Sequence, residues 1–143
     1  MRNVNQILEN KPADVVTVAR DAPVLEVIRL MAEHHIGSVL IVEAGHLLGI
    51  ATERDYARKV ILQGRSSSDT PVAQIMSSPV VSVTPETTAQ TCMQIMTDRR
   101  IRHLPVLDAG GRVVGLVSIG DLVKAVIEDQ REEIDQLQRY IAM

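Results

Sequence analysis

An internal duplication restricts this chain more than any other feature. Residues 15–61 lie over residues 80–127 with one inserted residue in the second copy, so the fold must be one unit used twice. Identical pairs are Val15/Val80, Val16/Val81, Val18/Val83, Met31/Met96, Ile36/Ile101, Ala44/Ala109, Gly45/Gly110, Gly49/Gly115, Asp55/Asp121, Val60/Val126 and Ile61/Ile127. Composition alone would place roughly three identities in such a window. The correspondence reaches further back, because Val4-Asn5-Gln6-Ile7-Leu8 is similar to Val72-Ala73-Gln74-Ile75-Met76, each shortly before a proline. These limits divide the chain into a first repeat with its lead-in at 1–63, a connector at 64–71, a second repeat at 72–127 and an extension at 128–143.

One copy opens on the β-branched run Val15-Val16-Thr17-Val18, which predicts a strand, and turns into a helix whose first turn holds Pro23. Val24, Val27, Ile28 and Met31 line one face of that helix, and Ala89, Cys92, Met93 and Met96 repeat the stripe in the second copy. Ser38 to Val42 and Leu47 to Ala51 then read as a hairpin around a glycine-containing turn at Glu43 to His46. A second helix starts at Thr52 and, in the other copy, at Ser118. The order strand, helix, strand, strand, helix, used twice, predicts a mixed α+β fold. Residues 63–71 are small and polar and end on a proline, the composition of an exposed connector, with a ligand-facing loop as the alternative. From Ile127 to Ile141 the last helix continues with Ile127, Ile134, Leu137 and Ile141 apolar among acidic residues, so it either folds back on its own chain or pairs with a second subunit.

Composition removes several functions. Of 143 residues 45% are hydrophobic, enough for an independent core without disulfides, and the single cysteine forms none. Fifteen Lys and Arg against 18 Asp and Glu give a net charge of −3, which argues against nucleic acid and anionic membrane surfaces as partners. The opening MRNVNQILENK has no apolar signal core and no apolar run approaches a membrane span, so the expected location is cytoplasmic. With no Phe or Trp and only Tyr56 and Tyr140, a flat ligand must lie against aliphatic or guanidinium groups. Cys92 falls on an apolar helix stripe and reads as a small core residue, and no Ser/His/Asp spacing suggests an enzyme. His34 and His35 end a helix and His46 sits in a turn.

The chemistry concentrates at two junctions, Gly49-Ile50-Ala51-Thr52-Glu53-Arg54-Asp55 and Gly115-Leu116-Val117-Ser118-Ile119-Gly120-Asp121, which share G-x-x-[ST]-x-x-D. A hydroxyl followed three residues later by a carboxylate is a helix capping box. Repeated behind a fixed glycine, it also suits a ligand: glycine permits close approach, the helix start presents free N–H groups to an anion, and the carboxylate can accept a ribose diol. Neither junction gathers ligands for a metal. The copies differ at Arg99-Arg100-Ile101-Arg102-His103, where the first has His34-His35-Ile36-Gly37-Ser38. Strand alternation from Ile101 sends Arg100 and Arg102 to one side, able to grip phosphate; a basic turn after a helix is the alternative.

These junctions, the duplicated unit and Ile101-Arg102-His103-Leu104-Pro105-Val106 resemble the cystathionine-β-synthase (CBS) domain pair, or Bateman module, over the chain up to about Ile127. The resemblance implies two repeats packed sheet to sheet with two clefts for adenine nucleotides, AMP, ADP, ATP or NAD. By position, Asp55 and Asp121 would accept ribose hydroxyls and Thr52 and Ser118 would hold phosphate. Arg102 and His103 would reach phosphate from the opposing copy, with Arg100 and Arg54 beside them. Val16, Thr17, Val81 and Ser82 would border adenine. Ser38 stands where the second copy has His103, and the first copy lacks both the basic pair and the proline, which weakens the cleft opposite it.

The functional expectation is a stand-alone regulatory sensor, a homodimer through residues after Ile127, acting on an unidentified regulated protein. The rival reading is an assembly module with vestigial clefts.

Overall fold

The computed structural model describes residues 1–11 and 15–142. In chain order the elements are α1 (Val4–Glu9), β1 (Thr17–Val18), α2 (Val24–His34), β2 (Ser38–Glu43), β3 (His46–Thr52) and α3 (Glu53–Tyr56), which continues as a π-helical turn at Ala57–Ile61. A 3-10 turn at Val72–Gln74 is followed by α4 (Ala89–Arg99), β4 (His103–Leu107), β5 (Val113–Ser118) and α5 (Ile119–Ala142). The strands form two sheets, β1–β2–β3 and β4–β5, in a mixed α/β fold. Among the described residues no helix is long and apolar enough to cross a membrane.

The chain forms two compact units, and each is assembled from separated stretches. One unit contains residues 15–81 and 109–114; the other contains residues 1–11, 82–108 and 115–142.

In the first of these, β1 runs parallel to β2, with Thr17 opposite Leu40 and Val18 opposite Ile41, and β2 returns antiparallel as β3. The hairpin closes on Ala44 and Gly45, at φ 51° and 82°, the mirror-image turn that follows strand twist. Val24, Val27 and Met31 of α2 pack on Val39, Ile41 and Ala51 of the sheet with Val60, Val72 and Ile75. The predicted helix stripe is thus the core face, with Pro23 capping α2 rather than inside its first turn.

In the other unit, α4 buries Ala89, Cys92 and Met96 on the equivalent face. The predicted strand at Val80 to Val83 does not form there; one parallel bridge, Val83 to Val106, replaces it. The reason lies in Pro105. In the first copy Leu40 N–H donates to the Val16 carbonyl at 3.3 Å, and Pro105 occupies the position of Leu40 but has no N–H to offer Val81. The ladder shrinks to Val83, whose N–H donates to Pro105 O at 3.0 Å and whose carbonyl accepts Leu107 N–H at 2.9 Å.

The lead-in segments are attached by the same bonds in both units. Val4 N–H donates to Thr87 O at 2.8 Å, Asn5 N–H to Pro85 O at 2.9 Å, and Ala89 N–H to Arg2 O at 3.0 Å. Their counterparts are Val72 to Ala22 at 2.8 Å, Ala73 to Arg20 at 3.1 Å, and Val24 to Thr70 at 2.9 Å. Each lead-in therefore docks on the strands and helix of the other repeat. A Cβ on Gly115 would stand 2.7 Å from Leu8 Cδ1, and one on Gly49 would stand 2.5 Å from Met76 Sδ. These glycines make room for a lead-in side chain, which corrects the expectation that a ligand approaches them. The connector is likewise tied down at its end: Leu25 N–H donates to Ser67 O at 3.0 Å, and Thr70 is buried with its hydroxyl donating to Ser66 O at 2.7 Å.

Helix α5 is 24 residues long, about 36 Å at 1.5 Å per residue. It buries Leu122 and Ala125 and is pinned by Arg2, whose guanidinium lies 2.5 Å from Asp129, 2.8 Å from Glu132 and 3.6 Å from Glu128. From residue 130 onward every described residue is exposed, including Ile134, Leu137 and Ile141. Of the two packing expectations, folding back on its own chain is not observed among the described residues.

Gly115→Ala is expected to destabilise the protein by about 1–3 kcal/mol through overpacking against Leu8. Combining it with Leu8→Ala should cost less than the two single losses added together, a coupling that urea denaturation of the four proteins measures. Strict additivity would show that Leu8 is not what Gly115 accommodates.

Candidate functional site

Both junctions fold as capping boxes at the end of a strand. At the first, Thr52 caps α3: its hydroxyl accepts Asp55 N–H at 3.2 Å, while Asp55 Oδ2 accepts Thr52 N–H at 3.0 Å and the Thr52 hydroxyl at 3.1 Å. The other carboxylate oxygen is also taken. Lys59 Nζ lies 3.0 Å from Asp55 Oδ1 and Ser77 Oγ donates to it at 3.3 Å; Lys59 also bonds Ile75 O at 2.9 Å. Asp55 is 8% exposed and fully bonded by its own unit. Opposite Thr52 across the β2–β3 ladder stands Ser38, buried, with no partner for its hydroxyl among the described residues. An orphaned buried hydroxyl is uncommon. The Gly37 carbonyl accepts Glu53 N–H at 3.2 Å, closing the junction from the β2 side. Val16 and Val81 are half-buried in this unit, whereas Thr17 and Arg54 are exposed.

The second junction repeats the backbone pattern with different donors. Ser118 N–H donates to Asp121 Oδ2 at 2.8 Å and Asp121 N–H to Ser118 Oγ at 3.2 Å. Asp121 Oδ2 also accepts Lys11 Nζ at 2.7 Å, and the same ammonium bonds Leu116 O at 2.8 Å. Asp121 Oδ1 has no partner among the described residues. Beside it lies a cavity of about 500 Å³ lined by Arg2, Asn10, Lys11, Asp121, Lys124 and Glu128, with Ile7 and Ala125 as its apolar wall. That volume lies within the range of small-molecule sites.

Ile119 N–H donates to the Arg102 carbonyl at 2.9 Å, so the backbone of Arg102 abuts its own copy's junction, as Gly37 does in the first. The Arg102 side chain is exposed, Ser82 and His103 are half-buried, and His103 has a bonding partner. Arg100 does not sit on a strand. It caps α4 at φ 54°, and β4 begins only at His103, so strand alternation does not set the relation of Arg100 to Arg102. Helix termination intervened, and His35 caps α2 in the same left-handed conformation.

The residues the sequence left unassigned are the donors to the two carboxylates: Lys11, Lys59 and Ser77. Lys59 follows Asp55 at the i,i+4 spacing of helical ion pairs, a readable signal. Lys11 and Ser77 reach their partners only because lead-ins dock on the other repeat.

Burial works against ionisation of Asp121, but the Lys11 ammonium and the Ser118 amide outweigh it and hold the carboxyl below its ordinary 3.8. Burial pushes the Cys92 thiol up to about 11, so at neutral pH it is a protonated core group. Among the described residues no group of three His, Cys, Asp or Glu gathers as a metal site.

A depressed folded-state carboxyl contributes stability that is complete above its unfolded value and disappears as pH falls through the folded one. Lys11→Met is therefore expected to lower stability by about 0.5–1 kcal/mol near neutral pH, the scale of a part-exposed ion pair. The gap from the unsubstituted protein in urea denaturation should close as pH drops below about 4. A gap that stayed constant into acid would assign the loss to packing instead.

The chain is 47% identical over 126 residues to the CBS domain-containing protein CBSX3, mitochondrial, of Arabidopsis thaliana, an overlap of 85% of this chain and 61% of that one. It thus spans less than two thirds of that relative. A solved protein with CBS domains from Burkholderia ambifaria MC40-6 is 51% identical, covers 90% of this chain and 96% of its own, and superposes with a TM-score of 0.85. The CBS domain pair of protein MJ0100, solved with 5′-methylthioadenosine and S-adenosyl-L-methionine, is 26% identical with a TM-score of 0.79, covering 90% of this chain and 98% of its own. The CBS domain profile matches residues 6–61 and again 72–128, the two copies found by internal repetition, and the chain belongs to the CBS domain family as a tandem pair.

Proposed function

We propose that this CBS pair is a regulatory module that binds an adenosine-containing nucleotide, AMP, ADP, ATP or NAD, and passes its occupancy to a partner protein. The open oxygen of Asp121 beside a cavity of about 500 Å³ is the observation that carries the reading. In this reading Asp121 accepts the ribose hydroxyls and Ser118 meets phosphate, and Arg102 and His103 bind phosphate as the family resemblance assigns them. Asp55 and Thr52 take the corresponding roles at the first junction only when a ligand displaces Lys59 and Ser77 from Asp55. Aliphatic Val16 and Val81, with Thr17 and Ser82, border adenine in a chain poor in aromatics. The adenosine compounds bound by protein MJ0100 support this ligand class. Signalling then requires that the ligand bind two arrangements of the module with different affinity, since equal affinity shifts nothing.

A second reading, assembly, is favoured by α5. Val123, Ile127, Ile134, Leu137 and Ile141 recur at the a and d spacing of a helix pair, all exposed. An isolated helical end of this length is marginal in water, so a homodimer through this stripe supplies its missing packing.

Calorimetric titration of the nucleotide-stripped protein with AMP, ATP and NAD at one salt concentration tests the first reading. Binding by at least one ligand, weakened tenfold or more by Asp121→Ala, is expected; unchanged affinity in that variant would remove Asp121 from the site. Arg102→Ala should weaken nucleotides and spare adenosine, and equal losses for both would overturn its phosphate role. Truncation after Ile127 should lower the native mass from dimer to monomer in light scattering. An unchanged mass would exclude α5 as the dimer contact.

A further inference from the structure

The two copies hold their carboxylates with different cations, and the difference has a direction. Lys59 sits on the same helical segment as Asp55, bonds its Oδ1 at 3.0 Å and is anchored by Ile75 O at 2.9 Å, with the ammonium side chain 43% and the carboxylate side chain 11% exposed. With Thr52 on Oδ2 and Ser77 also on Oδ1, Asp55 has no oxygen left open. The position of Lys59 in the second copy is Ala125, and the second junction takes its cation from the lead-in instead. Lys11 bonds Asp121 Oδ2 at 2.7 Å with both side chains part-exposed, at 30% and 22%, and both line the cavity. In the second lead-in the residue matching Lys11 is Pro79, so no equivalent cation exists at the first junction.

A ribose diol that engages Asp121 through both hydroxyls uses Oδ2 as well as the open Oδ1, so the Lys11 ammonium on Oδ2 must then give that oxygen up or share it. Lys11 has a flexible four-carbon stem and a strongly hydrated charge, which suits it to move. A phosphate-free ligand leaves the displaced ammonium with the Leu116 carbonyl alone. A phosphate-bearing ligand gives it a new anion in the same cavity. Lys124, one turn beyond Asp121, lines that cavity without a bonding partner among the described residues and adds a second positive charge.

From this we infer that Lys11 is an exchangeable counter-ion: it guards Asp121 in the empty site, moves onto the ligand's phosphate when the diol displaces it, and so makes the site prefer phosphate-bearing over phosphate-free adenosine ligands. The inference rests on the reading of Asp121 as the ribose acceptor. It assigns to the lead-in a specificity role that the junction motif does not contain.

The test titrates AMP and adenosine separately into the full chain, as wild type, Lys11→Met, Lys11→Arg and Asp121→Asn. Lys11→Met is expected to weaken AMP about tenfold, the scale of one charge-assisted contact. The same substitution leaves adenosine binding unchanged or up to severalfold tighter, because the guard is gone. The AMP-to-adenosine preference then falls at least tenfold, and Lys11→Arg restores most of it. Equal weakening of both ligands by Lys11→Met would show a purely structural residue and overturn the inference, as would an unchanged preference. Asp121→Asn separates the two levels. Loss of adenosine binding there with an unaltered preference in Lys11→Met overturns the counter-ion role alone, whereas adenosine binding untouched by Asp121→Asn overturns the ribose reading and this inference with it.

Discussion

Two side chains packed over two glycines hold the organisation of this chain: Leu8 over Gly115 and Met76 over Gly49. Each contact lets a lead-in lie against a strand belonging to the other repeat, closer than any Cβ would permit. Around it the backbone bonds fall into place, Val4 to Thr87 in one unit and Val72 to Ala22 in the other. Residues from before each repeat thereby become part of the other repeat's hydrophobic core, as Val72 and Ile75 do beside Val39 and Ile41. A repeat cut out at its sequence limits would lose that contribution and expose the face it covers. Small units with little surplus core tolerate such losses poorly.

The same docking supplies the site's electrostatics. Ser77 arrives at Asp55 and Lys11 at Asp121 as riders on the segments that Met76 and Leu8 anchor. Packing and chemistry are therefore linked through neighbouring residues. A lead-in that shifted along its partner strand would move a hydroxyl or an ammonium by several ångströms from a carboxylate, and at such distances a hydrogen bond no longer exists. The junction motifs are rigid capping boxes, and the residues that differ between the copies are delivered to them from elsewhere in the chain.

Periodicity made most of the fold readable. The helix stripes Val24-Val27-Met31 and Ala89-Cys92-Met96 are core faces, and the hairpin around Ala44-Gly45 closes where its turn residues require. The errors trace to interactions that periodicity does not encode. Val80 to Val83 has the β-branched composition of a strand, but Pro105 in its would-be partner lacks the N–H for a ladder. Strand alternation places Arg100 and Arg102 on one side only if a strand approaches at Ile101; the left-handed cap at Arg100 ends α4 before β4 begins, which is the alternative of a basic turn after a helix. At the site, Thr52, Asp55, Ser118 and Asp121 were visible because a repeated motif marks its own members. Lys11 was not visible, since its partner lies 110 residues away and nothing within the motif points to the lead-in.

Capping and ligand recognition need not compete for these junctions. In both copies the cap uses Oδ2 of the aspartate, bonded by the amide of Thr52 or Ser118, and that bond survives whatever the other oxygen does. What distinguishes the copies is Oδ1, closed at Asp55 by Lys59 and Ser77 and open at Asp121. A capping box thus fixes the carboxylate's position and leaves one acceptor to be assigned. The two copies carry such acceptors on matching backbones, and differences at single positions, Lys59 against Ala125 and Lys11 against Pro79, are sufficient to make them unequal. In the proposed reading a ligand can occupy the open junction while the closed one keeps its internal bonds, so the two matching backbones need not act alike.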